Sequence, residues 1–130
     1  MKTVFDGKKA IAIIINGEYP EGSVPHTGLG KGEEALGLLT LNHKKGSTLK
    51  RHQHKPTKRT TSILQECFIV ISGKIKIKLY SDKQIFIRSV TLTSGEALLT
   101  LSGGHEFKIL EDTKILELKN GPYKEDKLFF

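Results

Sequence analysis

The stretch Lys74–Tyr80, Lys-Ile-Lys-Ile-Lys-Leu-Tyr, alternates polar and apolar side chains over its whole length. Successive side chains of a β-strand point to opposite faces of the sheet, so this pattern predicts a half-buried strand with its lysines in solvent. Similar short runs recur along the chain, separated by turn residues such as Asn16-Gly17 and Ser72-Gly73. No amphipathic pattern of about ten to fifteen residues lies between them, which disfavours a βαβ architecture. The sequence therefore predicts an all-β sandwich or barrel.

The predicted strands cover the chain almost from end to end, with one long loop over 17–32. They span residues 9–16, 35–41, 49–54, 63–71, 74–80, 85–91, 97–101, 106–110 and 114–119. A chain of 130 residues can bury one hydrophobic core without the help of disulfide bonds or structural metal ions, so we predict one domain over residues 1–130. The longest apolar run, 11–15, is too short to cross a bilayer, and we expect a soluble, cytoplasmic protein with no membrane partner.

Charge and cysteine content limit the function classes. The single cysteine, Cys67, lies in an apolar run and is more typical of a core position than of a nucleophile. A net charge of +7 attracts anions of many kinds. Because the lysines alternate with aliphatic residues and are not interleaved with aromatic ones, we rank nucleic-acid binding last and favour a small acidic ligand.

A candidate metal site rests on three histidines and one carboxylate. His52 and His54 are alternate residues of the predicted strand 49–54, so their side chains would share a face about 7 Å apart. Glu66 and His105 would supply the remaining ligands. Imidazole with an added carboxylate favours a divalent ion such as Fe, Mn or Ni, and Zn is also compatible with this set.

These residues carry a resemblance to the cupins. Gly46, five residues, His52-x-His54 and then Glu66, six residues and Gly73 are similar to the first cupin motif. Cupins generally place the glutamate three or four residues after the second histidine, whereas eleven residues, 55–65, intervene here and would have to loop out. A looser second motif begins at Gly95 and has His105 as its metal-binding histidine.

More specifically, the chain resembles a group of small bacterial cupins from about Lys9 onward. The shared elements are His52 to Pro56, Arg59-Thr60, Ser102 to His105 and Gly121-Pro122-Tyr123. The resemblance implies a cupin double-stranded β-helix, or jelly-roll barrel, with one divalent metal ion held by His52, His54, Glu66 and His105. It also implies a sugar-derived or anionic small-molecule ligand.

Four further residues are predicted to contact that ligand. Lys50 shares strand parity with the two histidines and would hold an anion or extend into solvent. Arg59 would clamp an anion or form a surface ion pair, and Phe68 would line the cavity below the ion. Tyr123 would close the opening or pin the tail to the barrel. For Glu66 the alternative is a partly buried carboxylate bonded to Arg59 or a backbone amide.

If Glu66 faces the inside of the barrel, the alternation of side chains along a strand places Cys67, Ile69 and Ile71 on the outer face. An apolar surface of this kind must be covered. We therefore predict a homodimer.

Two classes of function are compatible with such a site. The first is an enzyme whose metal polarises a substrate, with isomerase- or epimerase-like sugar chemistry favoured over a dioxygenase. No catalytic residue is assigned, because no unambiguous base is present. The second is a non-catalytic module or sensor that binds a small ligand through the metal.

Overall fold

The computed structural model describes residues 1–17, 19–27 and 34–130. Ten strands form three antiparallel sheets, and the described residues contain no helix. The strands are β1 Lys2–Asp6, β2 Lys9–Ile15, β3 Gly22–Pro25, β4 Leu39–Asn42, β5 Glu66–Ser72, β6 Lys74–Tyr80, β7 Phe86–Thr93, β8 Ala97–Thr100, β9 Gly104–Ile109 and β10 Lys114–Lys119. The all-β prediction is confirmed, in sheets that are not closed into a barrel. Among residues 1–17, 19–27 and 34–130, no helix has the length and apolar character that crossing a bilayer demands.

A five-stranded sheet in the order β1-β2-β8-β5-β10 faces a three-stranded sheet in the order β7-β6-β9. The core between them takes alternate residues from each strand, including Phe68 and Val70 of β5, Ile75 and Ile77 of β6, and Leu98 of β8. All five are at most 2% exposed. Burying one such side chain stabilises the fold by roughly 1.5–3 kcal/mol, so this layer holds the two sheets together.

The other face of the five-stranded sheet carries a second, smaller cluster. Cys67 and Leu99 are buried there, and Leu36 and Leu38 pack over them from the segment before β4. Part of the outer face predicted to need a second subunit is therefore covered by the chain itself. Ile71, 54% exposed, lies at the uncovered edge beside Leu116 and Leu118 of β10. The homodimer stays a prediction.

Two sequence expectations for the first half of the chain are wrong. Residues 49–54 form no strand: the whole span 43–64 is exposed, and most of its side-chain hydrogen bonds are local ones such as His52 Nδ1 with the carbonyl of Lys50. Only one of the six residues, Leu49, is aliphatic, so the stretch has no apolar face to bury against a sheet. The predicted loop 17–32 contains β3, which pairs with β4. Glu18 and residues 28–32 of that loop lie outside the described residues.

Candidate functional site

Two glycine turns fix the strands that carry the candidate residues. Gly73 (φ +89°) joins β5 to β6, and Gly103 (φ +80°) precedes β9. A Cβ at Gly73 would overlap the carbonyl oxygen of Asp112, and one at Gly103 would overlap the carbonyl oxygen of Tyr80. Both positions thus need glycine for its left-handed backbone and for space. They place Glu66 at the start of β5 and His105 at the start of β9.

The structure brings Glu66 and His105 together at one end of the sandwich. The Glu66 Oε2 and His105 Nε2 atoms are 3.5 Å apart, with side chains 14% and 26% exposed. The His105 ring packs edge-on against Phe68 at 5.1 Å between centroids and lies beside Phe107, also at 5.1 Å. Two predicted metal ligands from opposite sheets therefore lie side by side and partly buried, and Phe68 packs in the core against the His105 ring.

Strand β10 adds two charged residues that the sequence analysis did not single out. Lys119 lies opposite Glu66 and Glu117 lies opposite Phe68 in the β5–β10 register. The Lys119 ammonium donates to Glu66 Oε1 at 3.2 Å and is 2.7 Å from Glu117 Oε1. Glu66 is thus a bonded and partly buried carboxylate, as the alternative prediction stated. Its partner, however, is Lys119 and not Arg59 or a backbone amide.

The charges in this cluster alter one another's protonation. Hydrogen bonds to Glu117 and Glu66 raise the pKa of Lys119 to about 12, so it stays cationic. The hydrogen bond from Lys119 lowers the pKa of Glu117. Burial lowers the pKa of His105, and the nearby carboxylate of Glu66 only partly opposes this effect. The cluster thus favours a neutral imidazole at His105 beside the ionised carboxylate of Glu117 and the ammonium of Lys119.

His52 and His54 lie outside this cluster. They are exposed residues of the segment 43–64, with their rings edge-to-face at 5.2 Å between centroids. Within the described residues, no group of three or more His, Cys, Asp or Glu side chains is arranged to hold a metal ion. Of the four predicted ligands, Glu66 and His105 therefore lie next to each other, and His52 and His54 lie elsewhere.

The other predicted ligand-contacting residues also differ in position. Lys50 and Arg59 are exposed, and Arg59 Nη1 donates to the nearby carbonyl of Thr57 at 3.4 Å. Tyr123 is 67% exposed and donates its hydroxyl proton to Glu125 Oε2 at 2.6 Å. Its ring lies 5.7 Å from Lys119 Nζ, so the tail touches the cluster through this contact.

A cavity of about 380 Å³ opens beside His105 at the edge of β9. Its walls are Tyr80, His105, Glu106 and the tail residues 128–130. Tyr80 donates its hydroxyl proton to Glu106 Oε2 at 2.9 Å, and Lys78 pairs with the same carboxylate at 3.0 Å. The volume falls in the range of small-molecule sites, and the walls combine aromatic surface with a few polar groups.

Comparisons with protein-family models, with curated proteins and with solved structures give no match.

Proposed function

We propose that this chain binds a divalent metal ion and a small polar metabolite at the end of the sandwich marked by Glu66 and His105, as a protein of the cupin type. The observation that carries the proposal is the approach of Glu66 Oε2 to His105 Nε2, at 3.5 Å. Two ligand atoms bound about 2.1 Å from one ion lie about 3.0–3.4 Å apart at ordinary coordination angles. The pair therefore fits a shared cation with little movement.

The position of Lys119 supports a cation at this point. Its ammonium is held by Glu66 and Glu117 and supplies the positive charge that two neighbouring carboxylates need. A metal ion at the Glu66–His105 pair would take over that role and compete with the ammonium. His52 and His54 are the proposed further ligands, and they would join only if the segment 43–64 rearranges.

Metal titration of the tag-free protein tests this proposal. Calorimetry with Mn²⁺, Ni²⁺ and Zn²⁺ should give one site per chain, lost in Glu66→Gln and in His105→Ala. His43→Ala is the matched control, because His43 is an exposed histidine that bonds Ser23 Oγ at 2.9 Å. Unchanged affinity in both His105→Ala and Glu66→Gln would refute the site, and unchanged affinity in His52→Ala would restrict it to the assembled pair.

The cavity beside His105 supports a small sugar-derived or anionic metabolite as the ligand. The Glu106 carboxylate, which already accepts the hydroxyl proton of Tyr80, can accept further hydrogen bonds from the hydroxyl groups of a sugar. A bound metal ion would polarise a substrate carbonyl. We favour isomerase- or epimerase-like chemistry over a dioxygenase, because the polar side chains of the cavity wall, Tyr80 and Glu106, suit the hydroxyl groups of a sugar.

The second candidate is a ligand-binding module without turnover. It is favoured by the pairing of the carboxylates around the cavity, since Glu66 and Glu117 are bonded to Lys119 and Glu106 to Lys78. A paired carboxylate is a weak base. Incubation of metal-loaded protein with aldose and ketose phosphates in D₂O separates the two candidates. Deuterium at the carbon next to the carbonyl identifies the enzyme, whereas saturable binding without exchange identifies the module.

A further inference from the structure

The outer face of the three-stranded sheet carries a row of lysines. Ile75, Ile77 and Leu79 of β6 are at most 2% exposed and point into the core. The intervening Lys74, Lys76 and Lys78 therefore point away from it, about 7 Å apart along the strand. Lys108 of β9 joins the same face, since it lies opposite Lys76 in the register. We call these four lysines the lysine row.

Lys76 and Lys108 form a directly opposed pair of like charges. Facing residues on adjacent antiparallel strands have Cβ atoms about 4.5–5.5 Å apart, and like charges in that position destabilise a sheet. Among the described residues, the ion pairs include Lys78, with Glu106, but not Lys74, Lys76 or Lys108. Within the part of the chain that the structure describes, three ammonium groups without an ion pair thus lie side by side, an arrangement that an anionic partner would stabilise.

Aromatic side chains lie at one end of the lysine row. Tyr80 continues the exposed side of β6, and Phe86 of β7 lies opposite it. The Tyr80 ring meets Phe86 at 5.9 Å and Phe130 of the tail at 5.3 Å between centroids. Phe86 and Phe130 are 53% and 62% exposed. More than half of each of these two residues is therefore accessible from solvent.

We propose that this face binds single-stranded nucleic acid, with the lysine row along the phosphates and the Tyr80–Phe86–Phe130 group stacking on bases. A line of cations next to exposed aromatic rings is the combination with which proteins hold single strands without sequence preference. An anionic phospholipid surface would contact the lysines but would not stack on the aromatic rings. The sequence analysis ranks nucleic-acid binding last, because the stretch Lys74–Tyr80 contains only some of the residues of this face. Strand pairing and ring contacts bring Lys108, Phe86 and Phe130 next to them.

Fluorescence anisotropy with a labelled oligothymidine of about twelve nucleotides tests the proposal. We expect saturable binding that weakens steeply with salt. The triple variant Lys74→Gln/Lys76→Gln/Lys108→Gln should bind at least about tenfold more weakly and lower the slope of log K against log salt by about two, since each phosphate contact on a single strand contributes about 0.7. Phe86→Ala should weaken binding by about tenfold at an unchanged slope, through lost stacking.

Matched controls separate a specific face from general basicity. Lys45→Gln/Lys55→Gln/Lys58→Gln removes the same charge from the exposed segment 43–64, and Phe5→Ala removes a ring of similar exposure, 54%, from β1. Both should bind like the wild type. Lys108→Gln alone should raise the unfolding midpoint, because it relieves the repulsion from Lys76. No binding, equal weakening by both lysine triples, or binding to phosphatidylserine vesicles in place of the oligonucleotide would overturn the proposal.

Discussion

The ring of Phe68 stands edge-on against the imidazole of His105, with the centroids 5.1 Å apart and the planes at 66°. Phe68 is 2% exposed and also meets Phe107 at 4.7 Å, so it connects the core to the candidate site. The orientation of His105 toward Glu66 therefore depends on how the core is packed below it.

Replacing Phe68 by leucine should lower the free energy of unfolding by up to about 1.5 kcal/mol, because the core loses an aromatic contact and changes shape at nearly constant apolar character. Urea unfolding measures this loss. The same variant should weaken metal binding, since His105 loses the ring that fixes it. Phe5→Leu, on an exposed side chain of β1, should change stability by less than about 0.5 kcal/mol. An equal effect of both variants would contradict the connecting role of Phe68.

Replacing Gly103 by alanine should destabilise the fold by more than about 1 kcal/mol. The substitution adds strain at a positive φ and an overlap with the carbonyl oxygen of Tyr80. Gly95 is the control, because it has nearly the same φ, +82°, but a Cβ there would meet nothing within 4 Å. Thermal unfolding of the two alanine variants should show the larger loss at Gly103, and the difference measures the steric part alone.

The ion pair of Asp82 with Lys9 should make stability depend on acid pH. The hydrogen bond from Lys9 lowers the pKa of Asp82 below its ordinary 3.8, and the backbone N–H of Gly103 adds to the effect. Because the folded-state pKa is depressed, the stabilisation is present above the unfolded pKa and is lost as the pH falls through the folded pKa. Both side chains are over half exposed, so screening limits the contribution to about 1 kcal/mol or less.

Urea unfolding of Asp82→Asn at several pH values checks this sign. The wild type should exceed the variant in stability at pH 6, and the difference should vanish at the lowest pH. Added salt should reduce the difference at pH 6. A gap that widens toward acid pH would exclude the ion pair as its cause.

The segment 43–64 should be the first place that trypsin cuts. It holds several exposed lysines and arginines, among them Lys50, Arg51 and Arg59, and its side-chain hydrogen bonds are mostly to neighbours two residues away. Cleavage needs a locally open backbone, which such a segment provides.

If His52 and His54 join the metal, stoichiometric Mn²⁺ or Zn²⁺ should slow this cut in the wild type and not in His52→Ala. Mass spectrometry of the first fragments gives the answer, and initial cleavage after Lys76 or Lys78 of β6 would contradict the prediction.

Sequence alternation predicted the strands of the sandwich well. The runs 9–16, 63–71, 74–80, 85–91, 97–101, 106–110 and 114–119 overlap β2 and β5 to β10. Some of them, such as 74–80, alternate with period two, whereas the runs that form β2 and β8 are continuous apolar stretches buried on both faces of the sheet. The strands β1 and β3 were not predicted. In β1, Val4 is the only buried side chain, so the strand shows no apolar alternation. The strand β3 begins with Gly22 and ends with Pro25, two residue types that ordinarily interrupt a strand.

Half of the candidate site could be predicted, and the rest depends on strand order. Glu66 and His105 were chosen from their spacing to Gly73 and from the Ser102-Gly103-Gly104 turn. Lys119 and Glu117 were missed because only the pairing of β10 with β5 sets them beside Glu66, and no local pattern reveals which strand becomes that neighbour. Their place two residues apart on one strand face is the signal that could have marked them as a pair.

The central strand of the five-stranded sheet, β8, is contributed late in the chain, yet it lies between β2 and β5. A ribosome must therefore release residue 100 before the N-terminal hairpin gains its permanent neighbour. Pairings between such distant segments slow folding, since the loop between them must close first. The aliphatic run 11–15 therefore remains without its β8 neighbour for much of the synthesis of the chain, a state in which an unpaired strand edge favours aggregation.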